Sequence, residues 1–470
     1  MSYNSTISRI KSVGKDIFNS IKGTNQDFTE GSIRRAIILL SVPMVLEMVM
    51  ESIFAVVDIY LVLKISPEAG AVVGITESIM TLVYAIGIGL SVATTAIVAR
   101  RFGEKKPEKA SVSAIHAIYA GIAASFLISI PGFLYSKEIL ALMGASPNMI
   151  EDGYQYTLIM MSGNVVIMLL FIINAIFRSS GDAAISMRIL LIANLINLVL
   201  DPLLIFGIGP FPELGIMGAA IATNIGRGVA VIYQLYLLFF KEQRVVVKLR
   251  HLAFKLNEFL HLIKLSLGGI GQSIIATSSW IILFRILAEF GSIVLAGYTV
   301  AIRIIIFILL PSWGLSNAAA TLVGQNLGAN KPERAEKSVW IAAYANMLFL
   351  GGFSILFIIF PRFFVGILSD DINVINTGAI ALRIISFGFI AYGMGMVMIQ
   401  SFNGAGDTTT PTKINFFAFW LLEIPLAYLL AMHTDFNDKG VYYAIIASET
   451  FMTIWGIILF RKGKWKLMKV

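Results

Sequence analysis

The sequence contains no cysteine and few charged residues. None of its 470 residues is cysteine, which excludes disulfide bonds, thiolate metal ligands and thiol nucleophiles. Charged residues make up 14% of the chain, whereas an ordinary soluble domain has about 25%. Hydrophobic residues reach 57%, and apolar runs long enough to cross a bilayer recur along the whole length. The chain is therefore predicted to be an all-α integral membrane protein with little room for a soluble domain.

The apolar runs predict twelve membrane spans in two groups of six. Residues 1–32 form a tail, 33–240 a first six-span lobe, 241–257 a basic linker, 258–462 a second six-span lobe and 463–470 a second tail. The twelve spans are placed at 33–63, 70–99, 111–135, 153–177, 183–207, 215–240, 258–289, 293–322, 337–361, 374–402, 409–432 and 439–460.

Lys and Arg are distributed unevenly between the two sides of the predicted membrane domain. The side that carries both termini receives 28 of the 36 basic residues, and the opposite side only Lys64, Lys137, Arg362 and Lys439. Cytoplasmic loops carry such an excess, so both termini are predicted to be cytoplasmic. The net charge of +8 follows from this topology and does not indicate nucleic acid. No cleavable signal peptide is expected, because the first 32 residues lack a continuous apolar core.

The segment STISRIKSVGKDIFNSIK precedes the first span. Its isoleucines are spaced near one helical face, with basic residues outside that face. An interfacial helix on the inner leaflet and a disordered basic tail both fit this pattern.

The two lobes repeat one another in sequence. VARRFGEKKPEKA at 98–110 aligns with VGQNLGANKPERA at 323–335, and FRSSGD, ending at Asp182, aligns with FNGAGD, ending at Asp407, at the same separation of 225 residues. This separation also relates Gly89 to Gly314 and Gly215 to Gly440. A duplication is therefore predicted. Because each repeat has an even number of spans, the two lobes are expected to be related by a pseudo-two-fold axis along the membrane normal. This architecture favours a secondary transporter over a channel or a receptor.

The first span, MVLEMVMESIFAVVDIYLV, carries three acidic residues. On a helix, Glu51 and Asp58 lie roughly 40° and 20° from Glu47, so the three project from one stripe. Each acid costs roughly 2.5–3.5 kcal/mol at the centre of a membrane helix, which indicates that the stripe faces water or protein. For Glu47 and Glu51, a cation-attracting cavity and hydrogen bonding within the bundle both stay open. Glu77 on span 2 either joins this cavity or pairs with Arg227.

The fifth span, IANLINLVLDPLL, carries a second polar group. Asn194, Asn197 and Asp201 fall within about 60° on one helical face. Pro202 cannot donate to the carbonyl of Leu198 and is expected to kink the helix. The freed carbonyl, the carboxylate and the amide oxygens are hard ligands that suit Na⁺ or a proton carried with water. A purely structural role at the kink remains open for Asp201.

Four of the remaining ionisable residues of the spans are expected to form ion pairs. Arg285 and Glu289 are four residues apart near a helix end, which predicts a surface ion pair. Arg303 and Arg383 are expected to join carboxylates between helices. Glu423 on span 11 and Glu449 on span 12 belong to the same inventory without an assigned role.

These motifs resemble the multidrug and toxic compound extrusion (MATE) family over nearly the whole chain. The resemblance rests on Pro43 and VVD (56–58) in span 1, on the two repeated motifs, on NLVLDP (197–202) and on GIMGAAIATN (215–224). The family implies efflux of drugs or metabolites driven by inward H⁺ or Na⁺, with coupling centred on Asp58.

The resemblance to DinF-like members is stronger than that to NorM-like members. It implies a coupling cluster of Asp58, Asn197 and Asp201, which would also be the ligands of a Na⁺ ion, together with Thr223 on span 6. NorM-like members carry acids on spans 7 and 10, where this chain has Ala276 and Tyr392. Glu47, Glu51, Glu77 and Asn194 are expected to line the substrate cavity.

The sequence thus predicts a cation-coupled antiporter that exports small organic, cationic compounds by alternating access. It is expected to act as a monomer in the inner cell membrane, with the lipid bilayer and organic substrates as its partners and without cofactor or nucleic acid. Two alternatives are a flippase for lipid-linked saccharides and an intramembrane enzyme. The enzyme is disfavoured because all four histidines, His116, His251, His261 and His433, lie in or near predicted loops.

Overall fold

A computed structural model of the chain describes residues 3–23, 26–241 and 244–470. Within these residues the fold is helical and contains no β-strand. A π-helical stretch, Phe416–Glu423, joins α16 to α17, and short 3₁₀ turns lie at Leu249–Leu252 and Lys464–Leu467. The α-helices are α1 (Tyr3–Lys22), α2 (Ile33–Leu63), α3 (Pro67–Gly103), α4 (Pro107–Leu134), α5 (Ser136–Leu142), α6 (Pro147–Ser162), α7 (Asn164–Ser180), α8 (Ala183–Phe206), α9 (Gly215–Phe240), α10 (Leu256–Ala288), α11 (Ser292–Gly328), α12 (Pro332–Ile359), α13 (Pro361–Gly366), α14 (Ile372–Ser386), α15 (Phe389–Ala405), α16 (Thr409–Asn415), α17 (Ile424–Met432) and α18 (Asp438–Arg461).

The predicted all-α membrane architecture is confirmed. Among the described residues, eleven helical segments are long and apolar enough to cross a membrane. The pair α14 and α15 supplies a twelfth span that bends by 57°. The fourth span, Pro147–Ser180, consists of α6 and α7 joined at Gly163. Helix α8 continues through Pro202 as far as Phe206.

The duplicated motifs fold in the same way in the two lobes. FRSSGD and FNGAGD each end a helix with a left-handed glycine, at φ 102° in Gly181 and φ 87° in Gly406. Such a glycine ends a helix without the steric cost of a side chain. In the other repeated motif, Lys105 and Asn330 both have positive φ, 55° and 56°. The sequence repeat is therefore also a repeat of backbone conformation.

The matching pair Gly89 and Gly314 brings helices of the two lobes into close contact. A Cβ on Gly89 in α3 would lie 2.6 Å from the backbone nitrogen of Ile270 in α10. A Cβ on Gly314 in α11 would lie 2.7 Å from the backbone oxygen of Met44 in α2. The same glycine contact is thus made twice across the interface between the lobes.

The lobes are closed against each other at the terminal face, which we define as the face that carries the segments 26–31 and 464–470. A Cβ on Gly103, at the end of α3, would lie 1.9 Å from the backbone oxygen of Gln325 in α11. A Cβ on Gly328 would lie 2.2 Å from the oxygen of Arg100. The backbones of α3 and α11 therefore approach each other closely at this face, with no room for a side chain at either glycine.

The segment 26–31 joins both lobes at the terminal face. From the second lobe, Arg334 donates to the backbone oxygens of Phe28, Glu30 and Gly31 at 3.2, 2.7 and 2.8 Å. From the linker, Arg244 donates to the oxygen of Gln26 at 2.7 Å and to the oxygen of Ser180, in the first lobe, at 2.9 Å. The C-terminal segment adds a hydrogen bond from the Arg100 guanidinium to the backbone oxygen of Met468.

The segment before the first span is helical, as the interfacial-helix prediction requires. It forms α1, and Val13, Ile17, Phe18 and Ile21 are exposed hydrophobic side chains on it. The prediction also placed four earlier residues on the faces of this helix. Their side chains lie outside the part of the chain that the structure describes: Ile7, Arg9, Ile10 and Lys11.

Candidate cation site and substrate cavity

Two acidic side chains from different helices meet inside the first lobe. Asp58 lies on α2 and is partly exposed, whereas Asp201 lies on α8 and is 1% exposed. Their carboxyl groups lie close enough to interact directly. Among the described residues, however, no donor reaches Asp58 Oδ1 or Asp201 Oδ2. Two ionised carboxylates repel each other and neither can donate. The contact is therefore favourable only when a proton or a cation is shared between them.

Asn197 and Thr223 complete this cluster. Asn197 Nδ2 donates to Asp201 Oδ1 at 3.1 Å and to Thr223 Oγ1 at 3.3 Å. Helix α9, which carries Thr223, approaches α8 at Gly226, where a Cβ would lie 2.7 Å from the oxygen of Ala193. The structure thus brings together Asp58, Asn197, Asp201 and Thr223, the four residues predicted for cation coupling.

An arginine lies beside the acidic stripe of α2. Arg227 Nη2 in α9 is 3.6 Å from Glu51 Oε1, and its charge also acts on Asp58 and Glu77. Glu77 accepts a hydrogen bond from the hydroxyl of Tyr84 at 3.4 Å. The ion pair of Arg227 is therefore with Glu51 and not with Glu77. Tyr84, two helical turns after Glu77 on α3, is a polar neighbour that the sequence did not indicate.

Glu47 is buried in a polar network and lines neither the cavity of about 390 Å³ nor the cavity of about 50 Å³ found in the described part of the chain. The residue is 1% exposed. Its Oε1 lies 2.9 Å from Arg178 Nη1 and 3.4 Å from Asn174 Nδ2. Asn174 accepts in turn from Gln234 at 2.6 Å. Glu47 is thus the end of a buried polar network, the second of the two roles that its sequence left open.

A cavity lies towards the second lobe, at its border with α3, and a smaller cavity adjoins it. The volume of the larger cavity is about 390 Å³. None of Glu47, Glu51, Glu77 and Asn194 lines it, so their predicted cavity role does not apply to this space. Ala276 and Tyr392, the positions at which NorM-like acids were missing, do line it.

The acid at this cavity is Glu449 on α18, and a second acid lies behind it. Glu449 lines both the larger cavity and a neighbouring one of about 50 Å³. Glu423, at the end of the π-helical stretch, is 2% exposed and lines the smaller cavity. Its Oε2 accepts from Ser448 Oγ at 2.9 Å. These two acids lie at similar distances from the loop joining spans 11 and 12, and that hairpin relation is the sequence signal that could have paired them.

The predictions for the other arginines had different outcomes. Arg285 and Glu289 form the predicted surface ion pair at 3.0 Å, with 76% and 52% of their side chains exposed. The expectation that Arg303 and Arg383 join carboxylates between helices is wrong. Both are exposed, and Arg383 Nε donates instead to the backbone oxygen of Ile358 at 3.1 Å.

No group of three or more His, Cys, Asp or Glu side chains able to hold a metal ion occurs within the described ranges. The Asp58–Asp201 cluster has two carboxylates, an amide and a hydroxyl. Such a donor set can share a proton, or can hold a weakly bound monovalent cation together with water.

The fold and this site define a polytopic transporter with two homologous lobes. The family model MatE matches residues 43–203 and again 270–429, which is more than half of the chain. The chain therefore belongs to the MatE family, a family of transporters rather than enzymes, as the motifs predicted.

Individual relatives align with the chain almost from end to end. A probable multidrug resistance protein NorM of Thermotoga maritima is 22% identical, over 92% of this chain and 93% of its own length. An FAD transporter of Shewanella oneidensis is 25% identical, over 90% and 93%. A crystal structure of MATE in complex with MaL6 superposes with a TM-score of 0.88 at 22% identity, covering 94% of this chain and 99% of that one.

Proposed function

We propose that the protein is an antiporter that exports small organic cations in exchange for H⁺ or Na⁺. The observation that carries this proposal is the contact between Asp58 and Asp201 inside the first lobe, because only a shared proton or cation makes it favourable.

Exchange at this pair changes the charge of the first lobe by one unit. Binding of H⁺ or Na⁺ neutralises one carboxylate and holds α2 against α8. Release leaves two like charges, which favours separation of α2 from α8. Arg227, paired with Glu51 nearby, offers Asp58 an alternative partner at that stage. A charge change that alters the packing of α2 biases the arrangement of the lobes, since α2 also contacts α11 of the second lobe.

We place the terminal face in the cytoplasm, as the excess of Lys and Arg on that side favours. The close approach of Gly103 to Gln325 then holds α3 against α11 on the cytoplasmic side. The protein works in the cell membrane as a monomer, because each chain contains both lobes and the complete Asp58–Asp201 cluster.

Two observations support small organic compounds as substrates. Curated relatives carry names such as multidrug resistance protein and FAD transporter, which together cover chemically different molecules. The buried acids of both lobes favour positively charged compounds among these.

Flux measurements in proteoliposomes test the proposal. The purified full-length protein is reconstituted, and efflux of a fluorescent organic cation such as ethidium is followed under a pH gradient alone and a Na⁺ gradient alone. We expect flux under one of the two gradients and its loss in Asp58→Asn. The control variant Asp435→Asn removes a carboxylate from an exposed residue and should retain flux. Coupled flux in Asp58→Asn at the wild-type rate would refute the coupling assignment.

A further inference from the structure

The cavity near the second lobe has the size of a ligand site. Its 390 Å³ falls in the range of about 300–1,000 Å³ typical of small-molecule pockets. Ile88 and Val92 of α3 form its wall on the first lobe. The remaining lining comes from the second lobe.

The charge of this cavity is of one sign. Glu449 is the one charged side chain among the described residues that line it, and the wall contains no Lys, Arg or His. Within the part of the chain that the structure describes, no donor reaches the buried Glu449 Oε2. A buried carboxylate oxygen without a donor is costly, and a bound cation would remove this cost.

The smaller cavity adds a second carboxyl group on the same side. Glu423 and Glu449 both line it, and they act on each other electrostatically. Its described lining residues include no basic side chain. When Glu423 is ionised, it adds to the negative potential that Glu449 presents to the larger cavity.

Aromatic side chains surround these acids. Trp280 and Tyr392 line both cavities, and Trp313 and Phe419 line the larger one. Aromatic faces attract organic cations through cation–π interactions. The cavity thus combines apolar aromatic surface with a carboxylate, which suits an organic cation better than a hydrated inorganic ion.

Two irregular helices lie at this place. The π-helical stretch Phe416–Glu423 presents Phe419 and Glu423 to the cavities, and Asn415 directly before it lines the larger one. The 57° bend between α14 and α15 lies at Gly388, which lines the smaller cavity. π-helical turns occur frequently at functional sites. Here Glu423 is the last residue of the π-helical stretch, and its side chain lines the smaller cavity.

We propose that this cavity binds the positively charged group of an aromatic or aliphatic organic cation, with Glu449 facing the charge and Glu423 reinforcing it. The substrate and the coupling ion then occupy different lobes, since Asp58 and Asp201 bind the ion. The inference that the bound cation is transported rests on the proposed function, but binding itself can be measured without any gradient.

Equilibrium binding of tetraphenylphosphonium to the purified full-length protein tests this site. Binding is followed by isothermal titration calorimetry and by quenching of tryptophan fluorescence. Removing one partner of a buried charge pair costs about 2–5 kcal/mol, so Glu449→Gln should weaken binding about thirtyfold or more. Glu423→Gln, one layer further away, should weaken it less. The control Glu289→Gln alters an exposed acid of the same lobe and should bind as the wild type does.

A second variant and a folding control distinguish loss of the site from loss of the fold. Ala276→Phe fills the larger cavity without altering an acid and should also abolish binding. Thermal unfolding without ligand shows whether each variant is folded. Wild-type affinity in folded Glu449→Gln, or loss of binding in Glu77→Gln but not in Glu449→Gln, would overturn the proposal. Glu449-dependent binding without gradient-driven flux would instead refute only the proposed antiport.

Discussion

The two lobes share a backbone plan but hold their buried acids differently. In the first lobe, Asp58 and Asp201 come from helices distant in sequence and meet beside Asn197 and Arg227. In the second lobe, Glu423 and Glu449 come from neighbouring spans and face aromatic cavities without a basic lining residue. Polar partners around the first pair suit a small ion, whereas aromatic walls around the second suit an organic molecule. The two lobes therefore share their backbone conformation but differ in the side chains that surround their buried acids.

The strongest way to break this comparison is to neutralise one acid in each lobe and compare transport kinetics. Asp201→Asn removes half of the proposed ion site and should reduce gradient-driven flux to the level of protein-free liposomes. Glu449→Gln should leave the maximal rate measurable but raise the KM for ethidium about thirtyfold. Concentration-dependent flux under one imposed gradient measures both effects. The same kinetic defect in both variants would show that the lobes do not divide these tasks.

A second comparison sets a buried ion pair of the first lobe against an exposed one of the second. Arg178→Leu leaves the Glu47 carboxylate buried and unpaired, which costs about 3–5 kcal/mol. Arg285→Leu disrupts an exposed pair, worth about 0–1 kcal/mol. Thermal unfolding in detergent should therefore show a large decrease in Tm for Arg178→Leu and little change for Arg285→Leu. Equal decreases would contradict the burial of the Glu47–Arg178 pair.

The closed interface between the lobes predicts a conformational effect. Gly103→Ala places a Cβ against the backbone oxygen of Gln325, so it should favour separation of the lobes at the terminal face. Because the chain has no cysteine, Thr321→Cys introduces a single reporter at a site that is 1% exposed. Maleimide should label this cysteine several times faster with Gly103→Ala than without it. Gly352→Ala, where a Cβ meets nothing within 4 Å, is the matched control and should leave the labelling rate unchanged.

The smallest expected effect concerns Asp27 in the segment that joins the lobes. Partial burial raises the pKa of Asp27, but hydrogen bonds from Thr29 and the charges of Lys105 and Lys331 outweigh it, so the pKa lies below its ordinary value of 3.8. A carboxylate with a lowered pKa stabilises the fold above pH 3.8, and this contribution is lost as the pH falls through the folded-state pKa. Asp27→Asn should therefore lower Tm slightly at pH 7, and this difference should shrink as the pH is lowered from 7 through the folded-state pKa of Asp27. A Tm difference that stays constant over a series of decreasing pH values until the wild type unfolds with acid would exclude this ionisation as its cause.

Much of the first-lobe site was predictable from sequence, because its signals are local or motif-borne. Periodicity placed Asp58 on a polar stripe, and Asn197 with Asp201 on one face of α8. The likeness to known transporters added Thr223. The partners of Glu47 and Arg227 were not predictable. Arg178 is 131 residues from Glu47, and nothing in either segment specifies which of several buried acids an arginine will reach.

The sequence alone determined the twelve spans and the duplication, and it predicted which side of the membrane the termini face. These features follow from the length of the hydrophobic runs, the repeated motifs and the excess of basic residues, which are properties of the chain itself. Tertiary structure decided which carboxylates become neighbours. Helix packing, set by close contacts such as those at Gly226 and Gly89, buries Glu47 against Arg178 and brings Asp58 to Asp201. It also leaves Glu449 at a cavity, because the helices around it are bent or π-helical and do not pack closely there.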